Sequence, residues 1–214
     1  LAGLHTASLL TFGKPLIQSG IRGLWRRLWE EGVQGKPWRI LRSLYSDLEA
    51  SVLVEGEPSR AAPLRQGVRQ GCPLSPILCS CCINDLVRRL KDLGYGVPIG
   101  DRDLTALLYA DDIVLMADSA DKLQQMIDEV DKFCSEWRLI LNTKKSKVMV
   151  LVPTKNGSSK ETGDDEPKYV FRGKPLEIVT EYKYLGVIFT DKLLWDRHIS
   201  MIVDKKGSSN ILLA

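Results

Sequence analysis

The sequence predicts an α/β or α+β protein, because stretches with helical and strand patterns interleave along its 214 residues. Hydrophobic residues make up 44% and charged residues 27%, which is typical of a globular chain and excludes wholesale disorder. No apolar run reaches the roughly 18 residues that a membrane-spanning helix needs. We therefore expect a folded protein with no membrane partner.

The first third of the chain predicts two helices and a strand. Residues 1–20 show no convincing periodicity. Apolar side chains then follow helical spacing over 24–29, and Gly32 is placed to end that helix. Pro37 suits the first position of a second helix. The β-branched run 51–55 predicts a strand.

The middle of the chain carries a loop, a helix and a hairpin. Residues 65–76 form a loop rich in Gly and Pro, and Pro76 begins a helix that continues to Leu90. Residues 105–117 are apolar on both sides of one acidic pair. This pattern predicts a hairpin whose two arms are buried, with the acidic pair at its tip.

The last third begins with a helix and continues with short strands. The helix is predicted from a one-sided apolar stripe that follows Asp118 or Ser119. Residues 153–168 are rich in Lys, Gly, Ser, Glu and Asp, which predicts a flexible surface insertion. The predicted strands are 139–141, 148–152, 169–171, 176–179 and 184–189, and the last leads into a short polar tail.

Positive charge is concentrated near the N-terminus. The first 46 residues hold seven Lys or Arg and two Glu, which gives them a net charge of +5. The whole chain has a net charge of +3, so the remaining residues carry about −2. Arg and Trp interleave there, for example at Trp25, Arg26 and Arg27. One interpretation is a face that binds a polyanion. The other is two amphipathic helices with Trp and Leu in a core and Arg in water.

The cysteines and histidines indicate a reduced protein without a zinc site. Five Cys, three of them at Cys79, Cys81 and Cys82, predict buried thiols in an intracellular compartment, nucleus or cytoplasm undecided. The C-x-x-C there has no second pair or His at ligand spacing, so these residues are small apolar side chains on a helix. His5 and His198 are isolated and are expected at the surface.

The acidic pair Asp111-Asp112 is the sharpest chemical feature. Asp is common in turns because its side chain bonds local backbone, so a purely structural role is one explanation. Between apolar arms, however, two carboxylates about 5 Å apart repel by about 3 kcal/mol at an effective dielectric near 20. A divalent cation offsets that repulsion, and Mg²⁺ uses one or two carboxylates with water and substrate phosphate. Such a site performs phosphoryl transfer.

The segment Gly67-Val-Arg69-Gln70-Gly71 is the second feature. Paired glycines allow a ligand to approach the backbone closely. Gln70 offers a donor and an acceptor, and Arg69 a partner for phosphate. The alternative is a tight loop that precedes a helix started by proline.

Together these segments resemble the reverse transcriptases of non-LTR (LINE-type) retrotransposons. GVRQGCPLSP is similar to their template- and nucleotide-contacting segment, and Tyr109-Ala-Asp-Asp112 is similar to their catalytic hairpin. Asn142-Thr-Lys-Lys-Ser146 is similar to the N-x-x-K-[ST] segment that follows. Tyr184-Leu185-Gly186 resembles the primer-grip hairpin. The resemblance covers about residues 22–200, with four motifs in the family's order.

The resemblance implies an α+β fold, the palm of a right-hand polymerase, with a short antiparallel sheet packed by helices. It implies Mg²⁺ or Mn²⁺ at Asp111 and Asp112, an RNA template, a DNA primer and deoxynucleotides. The nucleotide or template would contact Gly67, Arg69, Gln70, Gly71, Tyr109 and Lys145. Of these, Lys145 would be a possible general acid. The primer grip would be Tyr184, Leu185 and Gly186. The palm would span 22–190, after a non-matching segment 1–21 and before a truncated thumb 191–214.

The chain also departs from the family pattern. The family has a further catalytic Asp on a strand just before the helix that begins here near Arg22, and residues 1–29 contain no acidic residue. The fingers and most of the thumb would be missing, and the chain does not begin with Met. We therefore expect a truncated polymerase module that is inactive alone. The alternative is a non-catalytic, nucleic-acid-binding remnant.

Overall fold

The computed structural model describes residues 5–11, 22–63, 71–109, 112–151 and 169–210. The helices in these ranges are α1 (Arg22–Glu30), α2 (Gly35–Leu44), α3 (Ser75–Asp92), α4 (Ala120–Glu136) and α5 (Asp196–Asn210). The strands are β1 (His5–Thr11), β2 (Glu49–Ala50), β3 (Leu53–Val54), β4 (Glu57–Pro58), β5 (Ala62–Pro63), β6 (Val97–Ile99), β7 (Arg102–Leu104), β8 (Ala106–Tyr109), β9 (Asp112–Ala117), β10 (Lys147–Leu151), β11 (Val170–Phe171), β12 (Lys174–Pro175), β13 (Glu177–Ile178), β14 (Glu181–Tyr184) and β15 (Val187–Thr190).

The chain forms two compact units. The sheet unit comprises Leu1–Thr11, Leu93–Asp128 and Asn142–Ala214, and the helical unit comprises Phe12–Asp92 and Glu129–Leu141. Each unit has its own buried apolar side chains. The two units are described separately below.

The sheet unit is built on five strands in the order β13-β10-β1-β9-β8. β1 lies at the centre and pairs antiparallel with both β10 and β9. β13 adds to β10 in parallel, so the sheet is mixed at one edge and antiparallel elsewhere. The interpretation of residues 1–20 as a segment without regular structure is therefore wrong for 5–11, which form the central strand.

The predicted hairpin at 105–117 is present as β8 and β9. Its second arm is buried, with Ile113 and Leu115 at most 1% exposed, since β9 lies inside the sheet. The expectation that the first arm is also buried is wrong. Leu107 and Tyr109 are exposed and alternate with the half-buried Ala106 and Leu108, so β8 buries neither face fully and leaves one face exposed.

Helix α4 presents the predicted one-sided stripe. Leu123, Met126, Ile127, Val130 and Phe133 are all fully buried. Their spacing of three and four residues places them on one helix face, and burial of that face is what stabilises a helix of this length. The predicted helix is confirmed.

A side chain of α4 also ties down the edge of the small β11–β12 hairpin. The amide of Gln124 donates from Nε2 to the carbonyl oxygen of Val170 at 2.9 Å. Its Oε1 accepts from the backbone N–H of the same residue at 2.9 Å. The side chain therefore replaces the backbone partner that Val170 lacks on this side.

In the helical unit, α1 is amphipathic. Leu24 and Leu28 are buried, and Trp25 meets the ring of Tyr45 edge-on with centroids 5.8 Å apart. Arg26 and Arg27 of α1 lie in ion pairs, since Arg26 contacts Glu30 at 2.9 Å and Arg27 contacts Glu31 at 2.9 Å. The second interpretation of the basic N-terminal segment, amphipathic packing, therefore holds only in part for α1, because the Arg27 side chain is just 12% exposed and Trp29 is 49% exposed.

Helix α3 and the end of α4 are joined by one arginine. Arg89 on α3 contacts Glu136 at 2.6 Å, Asp85 at 3.0 Å and Glu129 at 3.7 Å. The hydrogen bonds to the Glu136 carboxylate raise the pKa of Arg89 and lower that of Glu136. The predicted helix after the Pro76 start is confirmed and extends two residues beyond Leu90.

Three predictions for the C-terminal part are wrong. Residues 139–141 contain no strand beyond a single bridge at Leu141. Residues 184–189 are a hairpin turn rather than one strand, because β14 ends at Tyr184 and β15 begins at Val187. The expected polar tail after it contains helix α5.

Among the described cysteines, Cys72, Cys81, Cys82 and Cys134 form no disulfide, and the predicted burial holds for Cys82 and Cys134 but not for Cys72 and Cys81, which are half-buried. In the described ranges, no helix combines the length and apolarity that crossing a bilayer would require. His198 is half-buried rather than on the surface, and its Nδ1 accepts from the Ile188 N–H at 3.4 Å.

Candidate nucleic-acid polymerase site

The predicted catalytic hairpin lies at one end of the central sheet. Tyr109 ends β8 and pairs with Asp112, which begins β9, so the connection has two residues. Asp112 is half-buried and Tyr109 is 62% exposed. Asp111, the other predicted metal ligand, lies outside the described residues. The side chains of this tip thus stand at the margin of the sheet rather than in its core.

Strand β1 supplies the other neighbour of Asp112. The register pairs Thr11 with Asp112 and Leu10 with Ile113. Residues directly opposite in an antiparallel pair have Cβ atoms about 5 Å apart. The sequence of β1, HTASLLT, contains no carboxylate. Asp112 therefore has Tyr109 on one side and Thr11 on the other.

The predicted primer-grip hairpin lies in the same unit as this tip. β14 and β15 are joined by Leu185 and Gly186, both with positive φ (48° and 88°), as a two-residue hairpin turn requires. Burial raises the pKa of Tyr184, and the negative charge of Asp112 raises it further. Tyr184 and Asp112 therefore interact, and the structure brings two of the predicted motifs together.

This coupling makes a testable prediction. Replacing Asp112 by Asn removes a negative charge that disfavours the Tyr184 phenolate, so the pKa of Tyr184 should fall toward its ordinary value while remaining raised by burial. A spectrophotometric titration of the phenolate band in the Asp112→Asn protein, compared with the Tyr184→Phe protein to identify the signal, measures the change. An unchanged pKa would show that Asp112 does not act on this side chain.

The third motif, Asn142–Ser146, forms a tight turn before β10. The Asn142 backbone oxygen accepts from the N–H of Lys145 at 3.1 Å and of Ser146 at 2.9 Å, and its Oδ1 accepts from the Lys145 N–H at 3.2 Å. Ser146 is fully buried, whereas Lys145 is exposed. The Tyr182 hydroxyl donates to the Lys145 carbonyl oxygen at 3.4 Å, which links this turn to the primer-grip hairpin.

The template segment belongs to the helical unit. Gly67, Arg69 and Gln70 lie outside the described residues. Gly71 is exposed with φ +78°, a conformation that other residues adopt only with strain. The glycine in this place is thus explained by the backbone, whereas a contact with template or nucleotide stays a prediction.

The described residues contain no group of three or more His, Cys, Asp or Glu side chains that could hold a metal ion. Asp111 is not among them, so this finding covers only part of the hairpin tip. The functional element that the sequence analysis missed is β1. Its only sequence signals are its short apolar stretch and its place before α1, because its partners β9 and β10 are more than a hundred residues away.

Comparisons with known proteins identify the family. The family model of reverse transcriptase (RNA-dependent DNA polymerase) matches residues 21–189. The Pol polyprotein of an R2 retrotransposable element from Nasonia vitripennis is 31% identical over 126 residues, covering 58% of this chain and 12% of that protein. The RNA-directed DNA polymerase from the jockey element of Drosophila funebris is 26% identical over 190 residues, covering 82% of this chain and 19% of that protein.

A solved structure shows the same fold. The apo telomerase of Candida tropicalis superposes with a TM-score of 0.63 at 15% identity, over 91% of this chain and 35% of the telomerase chain. The predicted α+β palm is thereby confirmed. The chain spans less than a fifth of the R2 and jockey relatives named above. It belongs to the reverse transcriptase family, of the non-LTR retrotransposon type that these relatives represent.

Proposed function

We propose that this chain is the palm of a retrotransposon reverse transcriptase. Its metal site lacks the carboxylate that a second strand would supply, so the chain does not transfer deoxynucleotides by itself. The observation that carries the proposal is the register of the central sheet, which sets Thr11 opposite Asp112. In the family a catalytic Asp comes from the strand before the first palm helix, and β1 is that strand here.

The chemistry of the donor set supports the same conclusion. A divalent-metal site for nucleotidyl transfer uses two ions that clamp the attacking and leaving oxygens, with carboxylates from separate strands. Asp111 and Asp112 both come from one hairpin, and the sequence of β1, with Thr11 at the position opposite Asp112, contains no carboxylate. Mg²⁺ in proteins relies on carboxylates and substrate phosphates. The residues present therefore fit one weakly held metal ion rather than the two metal ions that nucleotidyl transfer uses.

The remaining predicted site residues keep a binding role in this proposal. The exposed ring of Tyr109 can stack on a nucleotide, and the exposed Lys145 ammonium can pair with phosphate. The charge of Asp112 acts on Tyr184, and a primer end would lie at the hairpin of Tyr184, Leu185 and Gly186. Arg69 and Gln70 would contact an RNA template or an incoming nucleotide. The ligands of these residues would thus be an RNA template, a DNA primer and deoxynucleotides.

The domain division follows from the same argument. We propose that the palm comprises β1 together with residues 22–190, which amends the assignment of 1–21 as a separate segment. The position of β1 at the centre of the sheet supports this extension. Residues 191–214, including all of α5, would begin the thumb, and 153–168 would be an insertion that lies outside the described residues.

Primer extension tests the proposal. The 214-residue chain is incubated with an RNA template, a DNA primer, deoxynucleotides and Mg²⁺ or Mn²⁺, beside the Asp111→Asn variant as the matched control. We expect no incorporation above that of the control, in samples whose circular dichroism shows that both are folded. Incorporation by the wild-type chain that Asp111→Asn abolishes would contradict the proposal.

A further inference from the structure

We infer a second nucleic-acid contact on the outer side of α2, where Lys36, Arg39 and Arg42 form a basic row that binds the phosphates of single-stranded RNA. This row goes beyond the proposed polymerase site, since it lies in the helical unit and contains none of the residues assigned to template, primer or nucleotide. It rests on four observations about the described residues.

The first observation is that the basic charges of α1 and α2 differ in their partners. On α1, Arg26 and Arg27 are held by Glu30 and Glu31, and Arg27 also lies 3.5 Å from Asp85. Among the residues that the structure describes, Lys36, Arg39 and Arg42 make no ion pair within 4.0 Å, and α2 itself contains no acidic residue. The uncompensated charge of this region is therefore on α2.

The second observation is exposure. No residue of α2 is buried, and Lys36, Arg39 and Arg42 are all exposed. The apolar residues Ile40 and Leu44 are also about half exposed. A helix with no buried side chain gains little from packing, so its outer face is available to a partner.

The third observation is spacing. The three cations stand at i, i+3 and i+6, so successive cations are separated by about 4.5 Å along the helix and lie on one side of it. A nucleic-acid strand carries one phosphate for each roughly 3.4 Å in a duplex, and a single strand can adjust its phosphates to the spacing of a protein surface. The row therefore matches two or three consecutive phosphates.

The fourth observation is an aromatic surface beside the row. The Arg42 guanidinium lies 5.1 Å from the centre of the Trp38 ring. Trp38 meets Trp29 edge-on, with centroids 5.5 Å apart, and Trp29 is 49% exposed. The Trp38 Nε1 donates to the Trp25 carbonyl oxygen at 3.3 Å, which fixes the ring. Basic side chains beside a tryptophan pair, of which Trp38 is half-buried and Trp29 about half exposed, favour unpaired bases over a duplex.

The occupant we propose is single-stranded RNA rather than an anionic membrane. A basic helix with two exposed apolar side chains is compatible with both. However, membrane-surface helices bury a wide apolar face, and the apolar side of α2 exposed here is limited to Ile40 and Leu44. Membership of an RNA-dependent polymerase family makes RNA the polyanion at hand.

The test is fluorescence anisotropy of a labelled single-stranded RNA with the full 214-residue chain at several salt concentrations. The test variant is Lys36→Gln/Arg39→Gln. The matched control is Arg26→Gln/Lys132→Gln, which removes the same two charges from the helical unit. In the wild type these two are already paired, with Glu30 and Glu129. A second probe is a vesicle of phosphatidylserine and phosphatidylcholine.

We expect the test variant to bind the RNA more weakly, with a salt slope lower by about 1.4 for two lost contacts on a single strand. Raising the salt from about 50 to about 200 mM should weaken RNA binding by both proteins. The fold-loss of affinity should be about seven times smaller for the test variant than for the wild type. The control should behave as the wild type. Equal effects of both variants, no effect of the test variant, or loss of vesicle binding with RNA binding unchanged would each overturn the inference.

Discussion

Thr11→Asp is expected to raise the affinity of the chain for Mn²⁺ by about 10- to 100-fold, the range by which residues around a metal ligand alter binding. The substitution places a carboxylate on β1 directly opposite Asp112, at the last residue of the strand. Two strands then supply charge to one ion, and carboxylate number sets the affinity of oxygen-ligand sites. Loss of the free Mn²⁺ signal in electron paramagnetic resonance measures this affinity.

The control for this experiment is Thr180→Asp, which makes the same chemical change at an exposed position after β13. It adds one negative charge to the sheet unit without placing it opposite Asp112. Its Mn²⁺ affinity should equal that of the wild type. A similar gain in both variants would indicate a general effect of net charge instead of a site.

Phe133→Ala is expected to lower the free energy of unfolding by about 3–5 kcal/mol. The Phe133 ring is fully buried on α4, lies 5.8 Å from the Trp137 ring and has the Arg89 guanidinium 5.7 Å from its centre. Truncation to Ala leaves a cavity and removes these contacts together. Urea unfolding followed by tryptophan fluorescence gives the change.

The neighbouring Lys132→Ala is the control, because Lys132 is exposed and its ion pair with Glu129 at 3.2 Å is a surface pair. Such pairs contribute at most about 1 kcal/mol. A loss for Phe133→Ala no larger than that for Lys132→Ala would contradict the assignment of Phe133 to the core.

Local patterns predicted the elements that bury one continuous face. The stripe on α4 and the apolar run of β9 each carry enough buried side chains to specify their own secondary structure. Strand β1 could not be predicted in this way. Its residues HTASLLT have little β-branched character, and pairing with two distant strands, rather than its own composition, makes it the central strand.

Edges and turns explain the other differences. β8 looks as apolar as β9, but only a neighbour on both sides buries a strand, and sheet order is a property of the whole fold. The local pattern of 184–189 predicts one strand, although the family resemblance implies a hairpin there, because Leu185 adopts φ 48°, an unusual conformation for a residue other than Gly, Asn or Asp. The hairpin registers and the burial pattern together correct both predictions.

The candidate site was predicted in its residue types but not in its arrangement. The motifs contain Asp112, Tyr184 and Lys145, and the sheet unit links Tyr184 with Asp112, and the backbone of Lys145 with the primer-grip hairpin. The sequence also left two interpretations open for the basic N-terminal helices. Burial and ion pairing separate them: α1 packs in the core with Arg26 and Arg27 paired, whereas α2 carries exposed cations.

The central claim is that positions 11 and 112 are two sides of one metal site, with the carboxylate present on only one of them. A double-mutant cycle of Mn²⁺ affinity tests it most directly, using the wild type, Thr11→Asp, Asp112→Asn and the double variant. We predict that Thr11→Asp tightens binding only when Asp112 is present, so that the gain disappears in the double variant. An equal gain with and without Asp112, or no gain in a folded Thr11→Asp protein, would contradict the claim.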